Sequence, residues 1–280
     1  NGSQSSSSPM APFNPSGEPA AELIELISEG LPRKYREFAQ RQVQEEMLKN
    51  FRGNGDFKRV EVAHLRKAFR LIDRHFLGGN LRKLLVIESR KLEFRVSSRM
   101  TSRAGHLLSD SRRPMWHELA ISSILLLQTF DGDLKTSKRR VVVNGCKVKN
   151  RVEALLRLVE HEMLHLLFVC KSMPRACHKQ SHHGALFQRA ARGIFGHKDF
   201  RHDLVTPKEE AGRSGVYTGS TVRFEFRGET LTGKVNRVTK NATILVPTSD
   251  NHPDARLFSD QRFYRKFHVP VSWCKVIKKA

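Results

Sequence analysis

Hydrophobic positions recur at helical spacing in the first part of the chain. Between Pro19 and Asn50 they predict two helices, the second of which opens at Pro32. A break at Gly53–Gly55 follows. An amphipathic helix is then predicted from Asp56 to Phe76, stopped by Gly78 and Gly79. The N-terminal region is therefore predicted to be helical.

From Leu84 to Phe130 the pattern changes to short apolar runs rich in β-branched residues. The runs LLVIES, LEFRVSS and ELAISSILLLQTF predict a small antiparallel sheet, although residues 121–130 fit a strand or a helix. Asn144-Gly145 between two short runs predicts a hairpin turn. A long apolar helix is predicted over about 149–169, and a short one over about 184–195.

The last part of the chain follows a strand pattern throughout. A polar segment from Thr206 to Gly215, which contains proline and glycine, is predicted to be a linker. Beyond it, the runs TVRFEF, TLTGKVNRV, ATILVP, KFHVP and WCKVI are short and separated by turn residues. This spacing predicts a small SH3-like β-barrel of about five strands.

These patterns predict an α+β protein with several parts. We expect a disordered leader over 1–18, which is rich in Ser and Pro, and an N-terminal helical segment over 19–55. A domain of helices and strands is expected over 56–205, and the β-barrel domain over 216–280. No stretch is apolar and long enough to predict a membrane span. The oligomeric state is not predicted.

The chain is strongly basic. Its 280 residues include 50 Lys and Arg against 28 Asp and Glu, which gives a net charge of +22. Such a field favours a polyanionic partner, and DNA, single- or double-stranded, is preferred because the basic residues are distributed along the whole chain. A general solubility bias or an acidic protein partner is the alternative. The four cysteines form no C-x-x-C pair, which favours reduced thiols in an intracellular compartment.

The run LLRLVEHEMLHLLFVC sets three polar residues into an apolar helix. His161 and His165 are four residues apart and share one helix face, where both can bind one metal ion. Glu162 can hold a water molecule beside that ion without being a ligand. The alternative is a satisfied polar patch in a core. A catalytic zinc site needs a third protein ligand, and His182 and His183 downstream are the candidates.

The segments HFLGGNL, SRMTSRAG, ELAISS, EHEMLHLLF and HHGALF follow one another over roughly residues 60–197. This ordered set resembles the SprT-like zinc metalloprotease family, the Spartan-like proteases, and so implies a protease domain of that kind over residues 56–205. The resemblance implies a zincin-type H-E-x-x-H helix, with His161, His165 and His183 as Zn²⁺ ligands and Glu162 as general base. His183 is preferred because it directly precedes the glycine of the H-G-x-x-F pattern.

The same resemblance implies a function. Members act on proteins bound or crosslinked to DNA, which implies an intracellular, DNA-associated metalloprotease in the nucleus or in the bacterial cytoplasm or nucleoid. Two other functions stay open, namely a non-proteolytic DNA-binding or scaffolding protein with a structural zinc site, and an H-E-x-x-H hydrolase that does not depend on nucleic acid. The chain departs from the family at its end, where a β-barrel replaces a zinc ribbon or a recruitment tail.

Overall fold

The chain folds into two compact units of mixed α and β structure. The computed structural model describes residues 11–14, 16–51, 55–130, 140–179, 183–239 and 241–280. The units divide between Leu204 and Val205. The predicted α+β class is confirmed. Most of the predicted leader and part of the predicted break at Gly53–Gly55 lie outside the described residues.

The first unit contains helices around a small sheet. Its elements are α1 (Pro19–Glu29), α2 (Arg33–Asn50), α3 (Val62–Phe76), α4 (Asn80–Ile87), β1 (Lys91–Ser97), β2 (Gly105–Asp110), β3 (Arg113–Ser122), α5 (Ser123–Thr129), β4 (Val141–Val143), β5 (Cys146–Val148), α6 (Arg151–Phe168), α7 (Arg175–Lys179) and α8 (Ala185–Ala190). A single π-helical turn, Ala191–Phe195, continues α8. The helices of residues 19–50 share one hydrophobic core with α3 and α6.

The small sheet is mixed rather than antiparallel, which corrects the prediction. Its strand order is β1-β3-β2. The tight turn between β2 and β3 makes that pair antiparallel, whereas β1 lies on the other side of β3 and runs parallel to it. After β1, a connection of seven residues brings the chain back to form β2 on the other side of β3. As a result, β2 is an edge strand. The local sequence pattern does not indicate this arrangement.

One predicted strand run is mostly helical, and the ambiguous run is part strand and part helix. LLVIES was predicted to be a strand, but most of it belongs to α4, where Leu81, Leu84 and Leu85 are buried. Their spacing is that of a helix face, and the β-branched residues after them, Val86 and Ile87, are exposed. The ambiguous run at 121–130 divides at Ser122, whose side chain accepts from the N–H of Leu125 and caps α5.

The predicted hairpin at Asn144-Gly145 is confirmed. It joins β4 and β5, and both turn residues have positive φ, 52° and 71°. This is the backbone that a two-residue turn of this type requires. The side-chain amide of Asn144 donates to the carbonyl of Arg157 in α6 (2.7 Å), and the backbone N–H of Asn144 donates to the carbonyl of Arg201 (2.7 Å). The turn thereby connects α6 to the chain that follows α8.

The second unit is one six-stranded sheet with a short helix at its start. Its elements are α9 (Pro207–Arg213), β6 (Thr221–Phe226), β7 (Glu229–Val238), β8 (Asn241–Pro247), β9 (Arg256–Leu257), β10 (Phe263–Pro270) and β11 (Lys275–Lys278). The strand order is β11-β6-β7-β8-β10-β9. The edge strands β11 and β9 do not pair with each other in the described chain, so the predicted barrel closure is not observed.

The segment predicted to be a linker is mostly helical. Thr206 caps α9 by accepting from the N–H of Glu209, whose carboxylate accepts in return from Thr206. Ala211 packs into the core of the second unit. The polar composition that suggested a linker therefore reflects a capping box and an exposed helix face.

The described residues contain four free cysteines and no disulfide. Cys170 and Cys177 are buried, whereas Cys146 and Cys274 are partly exposed. No helix in the described ranges combines the length and the apolar character that a bilayer span requires.

Candidate metal centre

The helix α6 runs through the core of the first unit. Asn150 caps it by accepting from the N–H of Glu153. Almost every residue from Val152 to Phe168 is buried, on all sides of the helix, as is typical of a helix inside a core. Polar side chains on such a helix are held in fixed positions by their neighbours. His161 and Glu162 are both buried, with 8% and 5% of their surface exposed.

Three histidines converge beside this helix. The Nε2 atoms of His161 and His165 are 3.1 Å apart, one helical turn from each other along α6. The Nε2 atom of His183 lies 2.9 Å from that of His161 and 3.0 Å from that of His165. His183 directly precedes Gly184, the N-cap residue of α8, and has a φ of 67°. The structure therefore brings together the three residues that the resemblance assigned. The alternative, His182, lies outside the described residues.

This arrangement fits a metal ion. Imidazole nitrogens bind zinc at about 2.0–2.1 Å, and three ligands at that distance from one ion lie about 3 Å from one another. Without a shared proton or cation, nitrogen lone pairs at such separations repel each other. The cluster can therefore hold a metal ion. The donor set alone does not identify the element, because imidazole also suits copper, iron and nickel.

Aromatic packing holds the three rings in place. The ring of Phe187 lies 4.6–5.3 Å from all three imidazoles, centroid to centroid. Phe200 stacks on His183 at 4.8 Å with an interplanar angle of 14°. The side chain of Gln188 donates to the carbonyl of His183 (2.7 Å) and fixes the backbone at this ligand. Phe187 is the aromatic residue of the H-G-x-x-F pattern, whereas Phe200 carried no signal in the sequence.

Glu162 lies between the histidine cluster and the edge strand β2. A Cβ atom added to Gly105 would collide with its carboxylate, so a larger residue at this position would displace the Glu162 side chain. Burial raises the pKa of Glu162 to about 8, and the N–H of Leu107 and the charge of Arg103 oppose that increase. A cation held by the histidines would act in the same direction as Arg103, because it favours the ionised carboxylate.

A buried ion pair supports the helix directly before His161. Glu160 is completely buried, and its Oε2 atom lies 2.9 Å from Arg157 Nη1 and 2.9 Å from His197 Nε2. Arg157 also donates to the carbonyl of Phe195 (2.9 Å). Burial lowers the pKa of His197, which keeps this ring largely neutral. The network connects α6 to the π-helical turn after α8, and so connects the two segments that carry the histidines.

The cluster opens into a cleft of about 770 Å³. One wall is the edge strand β2, of which Gly105–Ser109 line the cleft. Asn144, Phe200 and His202 line it as well. His202 was not predicted as a site residue, because it reaches the cleft only through a bridge to Val143 on the β4–β5 hairpin. Nothing in the sequence around His202 indicates that contact.

Comparison of the chain with protein-family models, with curated proteins and with solved structures finds no match. The chemistry of the cleft and the resemblance described above are therefore the basis for assigning a function.

Proposed function

We propose that this protein is a zinc-dependent endopeptidase of the SprT-like type that acts on proteins bound or crosslinked to DNA. The observation that carries the proposal is the convergence of three histidine Nε2 atoms within 3.1 Å of one another, with Glu162 beside them and an edge strand opposite. We also propose that α6 is a zincin-type active helix.

Zinc is the metal proposed, since three neutral imidazoles are a common catalytic ligand set for that ion. When bound, zinc supplies a Lewis acid that polarises a carbonyl group and lowers the pKa of water to about 7. His161 and His165 hold two ligand positions from one face of α6, and His183 holds the third from the entrance of α8.

Glu162 is proposed to be the general base. Its carboxylate accepts a proton from the attacking water and passes it to the leaving amine of the cleaved peptide. The N–H of Leu107 holds the carboxylate in place, and Gly105 leaves the space for it. A structural zinc site is usually closed by four protein ligands, whereas three histidines converge here at the wall of an open cleft. This favours catalysis over the scaffolding alternative.

The substrate is proposed to lie along β2. This strand is at the edge of its sheet, and five of its residues line the cleft. An extended peptide can pair with such an edge through its backbone, which reads little side-chain sequence. Recognition of this kind suits an enzyme that cleaves proteins of varied sequence.

Association with DNA is proposed from charge. A net charge of +22 distributed over the chain produces a field that attracts polyanions. The second unit is proposed to be an SH3-like module. Its main strands follow one another in an antiparallel series, and a 3-10 turn at Val271–Trp273 then brings β11 back to pair with β6.

The test combines metal content with cleavage. We expect the purified chain to contain one zinc ion and to cleave a DNA-binding protein faster when DNA is present. The variant Glu162→Gln keeps the size of the side chain but cannot take up a proton, so we expect it to retain zinc and lose cleavage by about a hundredfold or more. Glu45→Gln, on an exposed face of α2, is the control. Near-normal cleavage by Glu162→Gln would refute the proposed mechanism.

A further inference from the structure

A second cleft lies entirely within the second unit. It has a volume of about 540 Å³. Its lining residues come from β6, the turn after it, the start of β7, the 3-10 turn and the start of β11; those with charged or aromatic side chains are Arg223, Phe224, Glu225, Arg227, Trp273 and Lys275. Nothing in the proposed proteolytic chemistry uses this cleft.

Cations are placed side by side in the sheet that forms it. Along β6, Val222 and Phe224 are buried, whereas Arg223 and Glu225 point outward. Arg223 lies directly opposite Lys275 of β11, and side chains in opposite positions share a face. Like charges in this position destabilise a sheet. No acidic side chain lies within ion-pair distance of either cation in the described ranges, so the pair suits an anionic ligand.

A third cation comes from the hairpin between β6 and β7. Arg227 and Gly228 form its tip, with φ of 51° and 83°. The guanidinium carbon of Arg227 lies 5.4 Å from the ring centroid of Phe226. The tip therefore holds this positive charge on the same cleft as Arg223 and Lys275.

An exposed indole ring completes the cleft. Trp273 ends the 3-10 turn and is separated from β11 by Cys274, and 53% of its surface is exposed. Within the part of the chain that the structure describes, no other ring stacks on it and no cation covers it. Trp116 in the first unit differs, because the guanidinium of Arg113 lies 4.2 Å from its ring centroid. An uncovered indole beside several cations is a suitable platform for a nucleobase.

We propose that this cleft binds single-stranded nucleic acid, with a base stacked on Trp273 and phosphates held by Arg223, Arg227 and Lys275. The inference rests on the proposed association with DNA and names where the strand is held. A single strand fits because its bases are free to stack, whereas the bases of a duplex are covered by their neighbours. An acidic peptide would account for the cations but not for the bare indole ring. Glu225 can accept a hydrogen bond from a base amino group.

The test measures the affinity of the full chain for a fluorescein-labelled oligo(dT) strand by anisotropy over a range of salt concentrations. We expect Trp273→Ala to weaken binding about tenfold, since one stacked base typically contributes that much. Trp273→Phe should restore most of the affinity. Arg223→Gln should reduce the slope of log affinity against log salt by about 0.7, the value for one contact with a single strand.

Arg256→Gln is the matched control, because it removes one exposed arginine from β9 at the opposite edge of the same sheet. Its salt slope and affinity should equal those of the unmodified chain. If Trp273→Ala binds oligo(dT) as tightly as the unmodified chain, this inference is overturned, whereas the proposed function is not affected. Binding of polyglutamate that depends on Arg223 but not on Trp273 would overturn it in favour of an acidic protein partner.

The remaining outcomes separate this inference from the proposed function. If the unmodified chain has no measurable affinity for oligo(dT) or duplex DNA at low salt, the proposed DNA association fails and the inference fails with it. If binding depends on Trp273 but no protein is cleaved, the proteolytic proposal fails and the inference is supported.

Discussion

The two units of this protein place their polar groups in opposite ways. In the first unit, charged and titratable side chains are buried around the histidine cluster, among them Glu160, Glu162 and His197. In the second unit, the buried polar side chains among the described residues are Ser220 and Thr243, and neither carries a charge. Its described lysines and arginines are exposed instead, apart from the partly buried Arg265.

This difference follows from what each unit is proposed to do. Chemistry on a peptide bond requires side chains in fixed positions and a low local dielectric, and burial provides both. Contact with a polyanion requires charges that water and ligand can reach, and exposure provides that. Buried charges are costly unless they are paired, so the first unit should be much more sensitive to polar substitutions than the second.

The largest expected effect is the loss of metal affinity when a residue of the histidine cluster is replaced. His183→Ala removes one of three ligands, so metal affinity should fall by more than the roughly 10- to 100-fold that loss of an outer-shell partner costs. The measurement is zinc content after dialysis against a weak chelator. His182→Ala, a change at the neighbouring residue, should lose far less metal. Full retention of zinc by His183→Ala would show that the third ligand is a different residue.

The next prediction compares one ion pair from each unit. Glu160→Gln leaves the charge of Arg157 buried without its partner, and we expect a loss of about 3–5 kcal/mol in the free energy of unfolding. The matched change in the second unit is Glu229→Gln. The Glu229 side chain is 65% exposed and lies 3.7 Å from Arg265. It should cost about 1 kcal/mol or less. If Glu160→Gln and Glu229→Gln lower the free energy of unfolding in urea by the same amount, the expected difference between the units is contradicted.

Acid should destabilise the first unit. Burial opposes ionisation of Glu88, yet the N–H groups of Ser172 and Lys171 and the guanidinium of Arg90 hold its pKa at about 2. A carboxyl group whose pKa is lower in the folded chain than in the unfolded chain stabilises the fold at pH values above the unfolded pKa, which is about 4.5 for Glu88. That stabilisation, about 3 kcal/mol, is lost as the pH falls from about 4.5 towards 2.

A neighbouring histidine acts in the same direction. Burial, together with the charge of Arg90, lowers the pKa of His117 to about 4. Its unfolded form therefore binds a proton at a higher pH than its folded form, and stability declines as the pH falls from about 6.5 to 4. Thermal unfolding followed from pH 7 to pH 3 should show a steep decline. Glu88→Gln should flatten the lower part of this profile, whereas Asp250→Asn, in an exposed loop, should leave it unchanged.

The smallest expected effect concerns separation of the units. A chain that ends at Leu204 should retain its metal and cleave an unstructured peptide at the normal rate, because the cluster and Glu162 lie within that unit. Cleavage of a DNA-bound protein should fall several-fold, since the local concentration that a second binding module provides is lost. Loss of metal or of folding in the shortened chain would show instead that the second unit supports the first.

Local signals in the sequence predicted several elements correctly. The helix that carries His161 and His165 was expected over about 149–169 and spans Arg151–Phe168. The hairpin at Asn144-Gly145 was equally clear, because few residues other than Asn and Gly adopt positive φ at low cost. The prediction of a strand over residues 84–89 was wrong, because its β-branched residues favoured a strand although the buried leucines have helical spacing.

The sequence by itself indicated the candidate residues for binding a metal ion and accepting a proton. The i, i+4 spacing on a helix is a property of local geometry, so His161, His165 and Glu162 could be identified without a fold. Tertiary structure decided the rest. Phe200 and His202 reach the cleft, and Gly105 meets Glu162, only because distant segments return to α6. Contacts between residues far apart in sequence depend on the packing of the whole core, and no local pattern encodes them.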